Sequence, residues 1–136
     1  MRDPLANSPG YSLRRASITV MADLMQRLAK HEMRLVDATV LLLIGDNPKV
    51  TASAVGRALD IQRANMVPLL KRLEDAGLVE RAPIDGKSQG LTLTAAGKKR
   101  LEVVRSTLSQ FETDLVARIP EEHRPHLIPA LDALWR

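Results

Sequence analysis

Apolar positions recur along most of this chain with a helical period, and alternate with a period of two in only one region. Leu13, Ala16, Val20, Leu24 and Leu28 repeat near every 3.6 residues, and Met21 and Met25 widen the stripe. The pattern predicts a long amphipathic helix over 12–31, with Arg14, Arg15, Asp23, Arg27 and Lys30 on its polar side. The preceding ten residues hold two prolines, an Asn and a Ser, and are expected to form an arm without fixed structure. A second helix is expected over 38–44, with Asp37 as its N-cap and Val36 and Leu41 as a hydrophobic staple. Val40 to Ile44 are apolar all round, so this helix should be buried on most sides. Gly45 and Asn47-Pro48 end it, and Lys49-Val50 is expected as a minimal strand.

A helical pair follows. Thr51 is a plausible N-cap, and Ala54, Val55, Ala58 and Leu59 make an inner face. Asp60-Ile61-Gln62 is a tight connector, and Gly56 is small enough for close crossing. The next helix, from Arg63 to Ala76, carries Met66, Leu69, Leu70 and Leu73 at i, i+3, i+4 and i+7 as a core stripe. Its opposite face holds Ala64, Val67, Pro68 and Lys71, flanked by Asn65 and Arg72. Gly77 is placed to end it in a left-handed conformation. Helix, three-residue turn, helix is the helix-turn-helix pattern, whose second element enters the DNA major groove.

Leu78 to Arg81 reads as a short strand and Gly90 to Thr94 as its partner, with Leu91 and Leu93 inward and Thr92 outward. Asp85-Gly86 between them favours a hairpin. A hairpin after a helix-turn-helix is a wing, with Lys87 at its tip and Arg81 at its base. Thr94 caps a further helix reaching Arg118, in which Leu101, Val104, Leu108, Phe111 and Leu115 form a heptad seam. Pro120 ends it. The tail has Leu127, Ile128, Leu131 and Leu134 on one side, with Pro125 and Pro129 expected to break or kink it into one or two short helices. The expected divisions are an arm at 1–11, a first dimerisation helix at 12–35, a DNA-binding core at 36–97 and C-terminal dimerisation helices at 98–136.

Composition narrows the function. A chain of 136 residues suits one domain, and 2% aromatic content leaves Leu, Val, Ile, Ala and Met to fill the core. The formal charge of +4, carried mostly by arginine, favours an anionic partner. The absence of cysteine excludes disulfides, Cys-ligated zinc and a thiol redox sensor. No apolar run approaches the ~20 residues needed to span a bilayer, and no signal-peptide pattern opens the chain, so a cytoplasmic protein without membrane association is expected.

The chain resembles the MarR-type transcription regulators over nearly its whole length. The matching stretches are Gly10-Tyr-Ser-Leu-Arg-Arg-Ala16, Val50 to Leu59, Leu73 to Arg81, Asp85-Gly-Lys, and Leu93-Thr-Ala-Ala-Gly97. The resemblance implies a mainly α fold with a small β-hairpin wing, and an intertwined homodimer held by the N- and C-terminal helices. It also implies recognition helices in successive major grooves of a near-palindromic double-stranded operator, with repression relieved by a small phenolic or anionic effector. Two departures stand out. Gly86 occupies the wing position where the family usually carries an arginine. Ala64 and Pro68, at the two usual base-facing positions, have no hydrogen-bonding side chain.

These readings define the candidate DNA contacts. Ala64, Val67 and Pro68 are expected against thymine methyls, Asn65 on adenine, and Arg63 or Lys71 on guanine or phosphate. For Arg63, Lys71 and Arg72, phosphate-only contact is equally compatible. Thr51 and Ser53 open the preceding helix, where backbone N–H groups face phosphate, and Arg81 and Lys87 belong to the wing. Arg14, Arg15 and His31 are candidates for an anionic effector, against their reading as exposed side chains on an amphipathic helix. Met21, Met25 and Met33 are better read as core filling than as a cavity lining.

Catalysis finds little support. No phosphate loop, nucleophile elbow or H-E-x-x-H occurs, and no cofactor is expected. His123 and His126 have metal-compatible spacing but lack a third ligand and enclose Pro125. The alternative to DNA binding is a winged-helix module for dimerisation or protein interaction.

Overall fold

The computed structural model describes residues 1–136 as six α-helices and one two-stranded hairpin. Helix α1 spans Pro9–Ala29. It therefore begins inside the expected arm of residues 1–11. Pro9 lies in the first turn, where its fixed φ suits a helix and its missing N–H has no intrahelical partner to lose.

Helix α2, Leu35–Asp46, starts after Arg34 and not at the expected Asp37 cap. Asp37 lies within the first turn and is buried, at 7% exposure. The proposed staple fails with the cap, and Val36 is left 37% exposed. The physical reason is long-range: the Asp37 carboxylate accepts from Arg72 rather than from its own backbone.

Helix α3, Ala52–Ala58, has the expected cap, with Thr51 Oγ1 accepting from Ala54 N at 3.2 Å. Val55 and Gly56 are buried, whereas Ala58, expected on the inner face, is exposed. Gly56 lies so close to the Ile61 carbonyl and the Met66 side chain that a Cβ there would sit 3.1 and 3.2 Å from them. Helix α4 then runs Arg63–Asp75, and Gly77 beyond it adopts φ +72°, as expected.

Strands β1, Val79–Pro83, and β2, Gln89–Leu93, pair antiparallel with Val79 opposite Leu93 and Arg81 opposite Leu91. Val50 joins through one antiparallel bridge to Leu91, so the minimal strand is present. A Cβ on Gly90 would lie 2.5 Å from the Lys49 carbonyl oxygen, which explains the glycine. The connection between the strands is a five-residue loop and not a two-residue Asp-Gly turn. Asp85 Oδ1 accepts from the N–H groups of Lys87 and Ser88, at 2.9 and 2.8 Å, and sets the loop's shape.

Helix α5, Ala95–Ala117, is capped by Thr94 Oγ1, which accepts from Gly97 N at 2.9 Å. Leu101, Val104 and Phe111 of the heptad seam are buried, and Leu108 and Leu115 pack against the same core. A 3₁₀ turn over Glu121–His123 leads into helix α6, Arg124–Asp132. Pro125 starts this helix and Pro129 lies inside it without ending it, so the tail is one short helix after a 3₁₀ turn, within the expected one or two short helices.

The core is a single cluster built from α1, α2, α3, α4, α5 and both strands. It leaves much apolar surface uncovered at the chain ends. Leu13, Ile18 and Met25 on α1 are 42%, 55% and 49% exposed. Ile128 on α6 is 69% exposed, and Leu134 and Trp135 beyond it are 67% and 71% exposed. Met33 is core filling, as expected, whereas Met21 and Met25 stand on the open surface. No helix is long and apolar enough to cross a membrane.

Candidate nucleic-acid interface

Helix α4 divides cleanly into two faces. Met66, Leu69, Leu70 and Leu73 are each no more than 5% exposed. Arg63, Ala64, Asn65, Val67, Pro68 and Lys71 all face solvent, and Val67 is 62% exposed. A β-branched hydrophobe held that far out on a rigid helix gains nothing for folding, and suits contact with another surface. Pro68 sits inside the helix without ending it. Its ring and its missing N–H fall on the exposed side, where the freed Ala64 carbonyl meets water.

The cations around this face differ in how far they are committed. No ion pair holds Arg63 or Lys87. Lys71 Nζ pairs with Asp75 Oδ2 at 2.9 Å, both side chains being well exposed. That hydrogen bond, followed by the coulombic attraction of Asp75, raises the lysine pKa and keeps it charged. Exposed helix pairs of this kind are weak and exchange readily for another anion. Arg81 at the foot of the wing donates through Nε to Glu74 at 2.6 Å.

Arg72 differs from these. Its Nη2 donates to Asp37 Oδ1 at 2.5 Å and its Nε reaches Oδ2 at 3.4 Å. Asp37 is the one buried charged residue of the chain. Arg72 thus pairs across to α2 and its side chain is 40% exposed, a partner that its expected place beside the solvent-facing strip did not include. Two partners 35 residues apart leave no local pattern. The available signal was an acid in the first turn of a mostly apolar helix, which must find a cation if it is buried.

In the preceding helix, Thr51 is occupied as a cap and Ser53 is exposed. The wing tip, residues 84–88, carries no net charge. Lys87 shares it with Asp85, whose pKa is lowered by the backbone N–H of Lys87 and then that of Ser88, so it stays an anion. An anion beside Lys87 offsets the attraction to phosphate.

The candidate effector residues are not brought together. Arg14 and Arg15 lie near the start of α1, where Arg15 donates to Tyr11 Oη at 3.2 Å, and His31 lies just past its end. Arg15 is 14 residues, roughly 21 Å at 1.5 Å per residue, from the end of α1 at Ala29, and His31 lies beyond that end. One small ligand within a protomer cannot meet all three. His31 instead borders an open cleft of ≈ 550 Å³ with Lys30, Glu32, Arg100 and Val103, and its carbonyl accepts from Arg100 Nη1 at 2.6 Å. No cluster of three His, Cys, Asp or Glu side chains suited to a metal ion is present.

Comparison with known proteins agrees with this architecture. Residues 31–88 match the model of the MarR family. The chain is 27% identical, over 97% of its length and 81% of the relative's, to the proposed transcriptional regulatory protein for the hcr operon of Thauera aromatica. It is 25% identical over 93% of its length, and 86% of the relative's, to the HTH-type transcriptional regulator SarZ of Staphylococcus haemolyticus. Among solved structures, the transcriptional repressor CouR bound to p-coumaroyl-CoA superposes with a TM-score of 0.85 at 28% identity, covering 100% of this chain and 97% of CouR. The Mycobacterium tuberculosis MarR family protein Rv2887 in complex with DNA gives 0.78 at 21% identity, covering 94% and 98%, a likeness of fold.

Proposed function

We propose that this chain, whose residues 31–88 match the MarR family model, is a homodimeric, sequence-specific regulator of transcription. It binds double-stranded DNA and acts as a repressor released by a small phenolic or anionic effector. Its role is recognition, not catalysis, and it works in the cytoplasm, beside the DNA it reads.

The observation that carries the reading is the outer face of α4. Ala64, Val67 and Pro68 form an exposed apolar strip, with Asn65 beside it and the unpaired Arg63 at one end. In a major groove, such a strip matches thymine methyls, while Asn65 offers a bidentate fit to adenine. Arg63 and Lys71 supply charge for guanine or phosphate. Ser53, and Lys87 on the wing, are left for backbone contacts, with Arg81 and the Thr51 cap supporting them. A wing with Gly86 at its tip lacks a side chain for minor-groove insertion, and Asp85 beside Lys87 leaves the lysine only a weakened contact with phosphate.

Dimerisation follows from the uncovered ends. Leu13, Ile18 and Met25 on α1, with Ile128, Leu134 and Trp135 near the C-terminus, are large hydrophobes left exposed, the kind of surface a partner covers. A second copy is the partner that makes two α4 helices available to a near-palindromic site.

CouR, bound to p-coumaroyl-CoA, supports an effector both aromatic and anionic. In this chain Lys30 and Arg100 at the cleft beyond α1 offer positive charge to such a ligand, with the His31 ring and the Glu32 carboxylate beside them. Gel-shift titration against duplex DNA from the region upstream of the chain's own coding sequence, at several salt concentrations, tests the function. A steep salt dependence with preference over unrelated duplex is expected, and equal, weak binding to every duplex would refute it.

A further inference from the structure

Lys71 and Arg72 are adjacent cations on the same helix, but they are held in opposite ways. The Lys71 partner, Asp75, is an exposed carboxylate one turn along α4 itself, so water or a phosphate replaces either member easily. The Arg72 partner lies on a different helix and its side chain is only 10% exposed. A buried carboxylate stripped of its cation is strongly unfavourable, so Arg72 is not free to swing toward DNA.

Resting on the DNA-binding reading above, we propose that Arg72 is a positioning residue of the reading helix and not a DNA contact. Its fork grips both oxygens of Asp37 and thereby fixes the rotation of α4 against α2. The apolar stripe of α4 sets how deeply the helix sits, but apolar contact is non-directional and leaves rotation loosely defined. A planar guanidinium on a carboxylate is directional and supplies what the stripe lacks. The platform it grips is firm, since Ala38, Val40, Leu41 and Ile44 of α2 are at most 2% exposed. Rotation of α4 decides whether Val67 and Pro68 meet base edges or sugar-phosphate, so the pair governs specificity more than affinity for DNA in general.

The test uses the full chain and two duplexes: one selected by the wild-type protein from a random-sequence pool, and one unrelated duplex of equal length. Arg72→Met and Asp37→Asn are each expected to lower affinity for the selected duplex about tenfold or more. Both should leave affinity for the unrelated duplex within about twofold and the salt slope unchanged, and the double variant should be no worse than either single. Flattening of the salt slope by about one with Arg72→Met, with equal weakening on both duplexes, would make Arg72 a phosphate contact and overturn the proposal.

Should Arg72→Met fail to fold, Asp37→Asn, nearly isosteric, decides alone. It frees Arg72, so a contact role predicts unchanged or tighter binding to both duplexes, whereas positioning predicts loss on the selected duplex only. Hydrogen exchange of the free protein reads the same point without DNA. Amides of α4 should exchange faster in Asp37→Asn while those of residues 101–111 keep their protection, and unchanged α4 protection counts against the proposal. If the wild-type protein selects no sequence at all, the DNA-reading function fails and the inference falls with it, an outcome distinct from defects confined to the variants.

Discussion

Arg27 on α1 reaches across to Asp114 on α5, with Nη1 2.7 Å from the carboxylate, while its Nε holds Asp23 one turn back on its own helix. The guanidinium also lies over the Phe111 ring, 5.7 Å from the centroid. One side chain thus ties together the two long helices that frame the core.

This tie has a pH signature. Hydrogen bonds from Arg27, then Gln110, lower the pKa of Asp114 below the usual carboxylate value. A carboxylate whose folded pKa is depressed stabilises the fold above its unfolded pKa, about 3.9, and loses that contribution as pH falls through the lower folded value. Asp114→Asn should therefore be less stable than wild type at pH 7, with the gap closing below about pH 4. Urea melts across that range check it, and a gap that persists in acid would contradict the assignment.

Lys71→Ala should weaken binding to all DNA sequences alike and flatten the slope of log K against log salt by about one. The exposed Asp75 pair should not mask this, because it exchanges with phosphate. Salt-titrated fluorescence anisotropy measures the slope, and no change would remove Lys71 from the interface.

Replacing thymine by uracil deletes only the methyl group. If Ala64, Val67 and Pro68 read methyls, single substitutions at the contacted steps of a selected operator should each weaken binding by about fivefold, on the order of 1 kcal/mol, and uracil elsewhere should be neutral. Pro68→Ala should raise stability by roughly 1–3 kcal/mol, as the helix regains a hydrogen bond, yet lose sensitivity to one methyl. Uniform indifference to uracil would exclude the apolar reading.

Gly97 sits in the first turn of α5 against the Leu78 carbonyl, which a Cβ would overlap. The same carbonyl accepts from Thr94 N at 3.1 Å, and Thr94 caps the helix, so the wing and α5 are locked at this point. Gly97→Ala should destabilise the protein by about 2–3 kcal/mol. A denaturant midpoint equal to wild type would show that the hairpin yields without cost.

Ile128 lies on the uncovered face of α6. Ile128→Asp should leave the fold of the core intact and shift the protein toward a monomer at micromolar concentration, with operator affinity falling at least tenfold. Sedimentation equilibrium reports the mass, and an unchanged dimer would move the interface elsewhere.

Much of this architecture is legible from short-range pattern alone. The stripe Met66-Leu69-Leu70-Leu73, the caps Thr51 and Thr94, the left-handed Gly77 and the alternation at Leu91 and Leu93 each depend on neighbours within a turn or a strand. Such features survive in one dimension because the physical causes, side-chain periodicity and local hydrogen bonding, act over a few residues. The composition of the outer face of α4 is equally a property of the sequence, since a helix with one apolar stripe must turn its remaining residues outward.

What depended on folding is which charges find each other. Asp37 read as a helix cap because Asp before an apolar run usually is one, and Arg72 read as a DNA contact because it flanks a cationic face. Only the packing of α2 near the last turns of α4 makes them partners, burying the acid and withdrawing the arginine. Likewise Arg14, Arg15 and His31 share a helix in the sequence, but 1.5 Å per residue carries them to its opposite ends. Periodicity sets which face a residue occupies, and distance through space sets what it can touch.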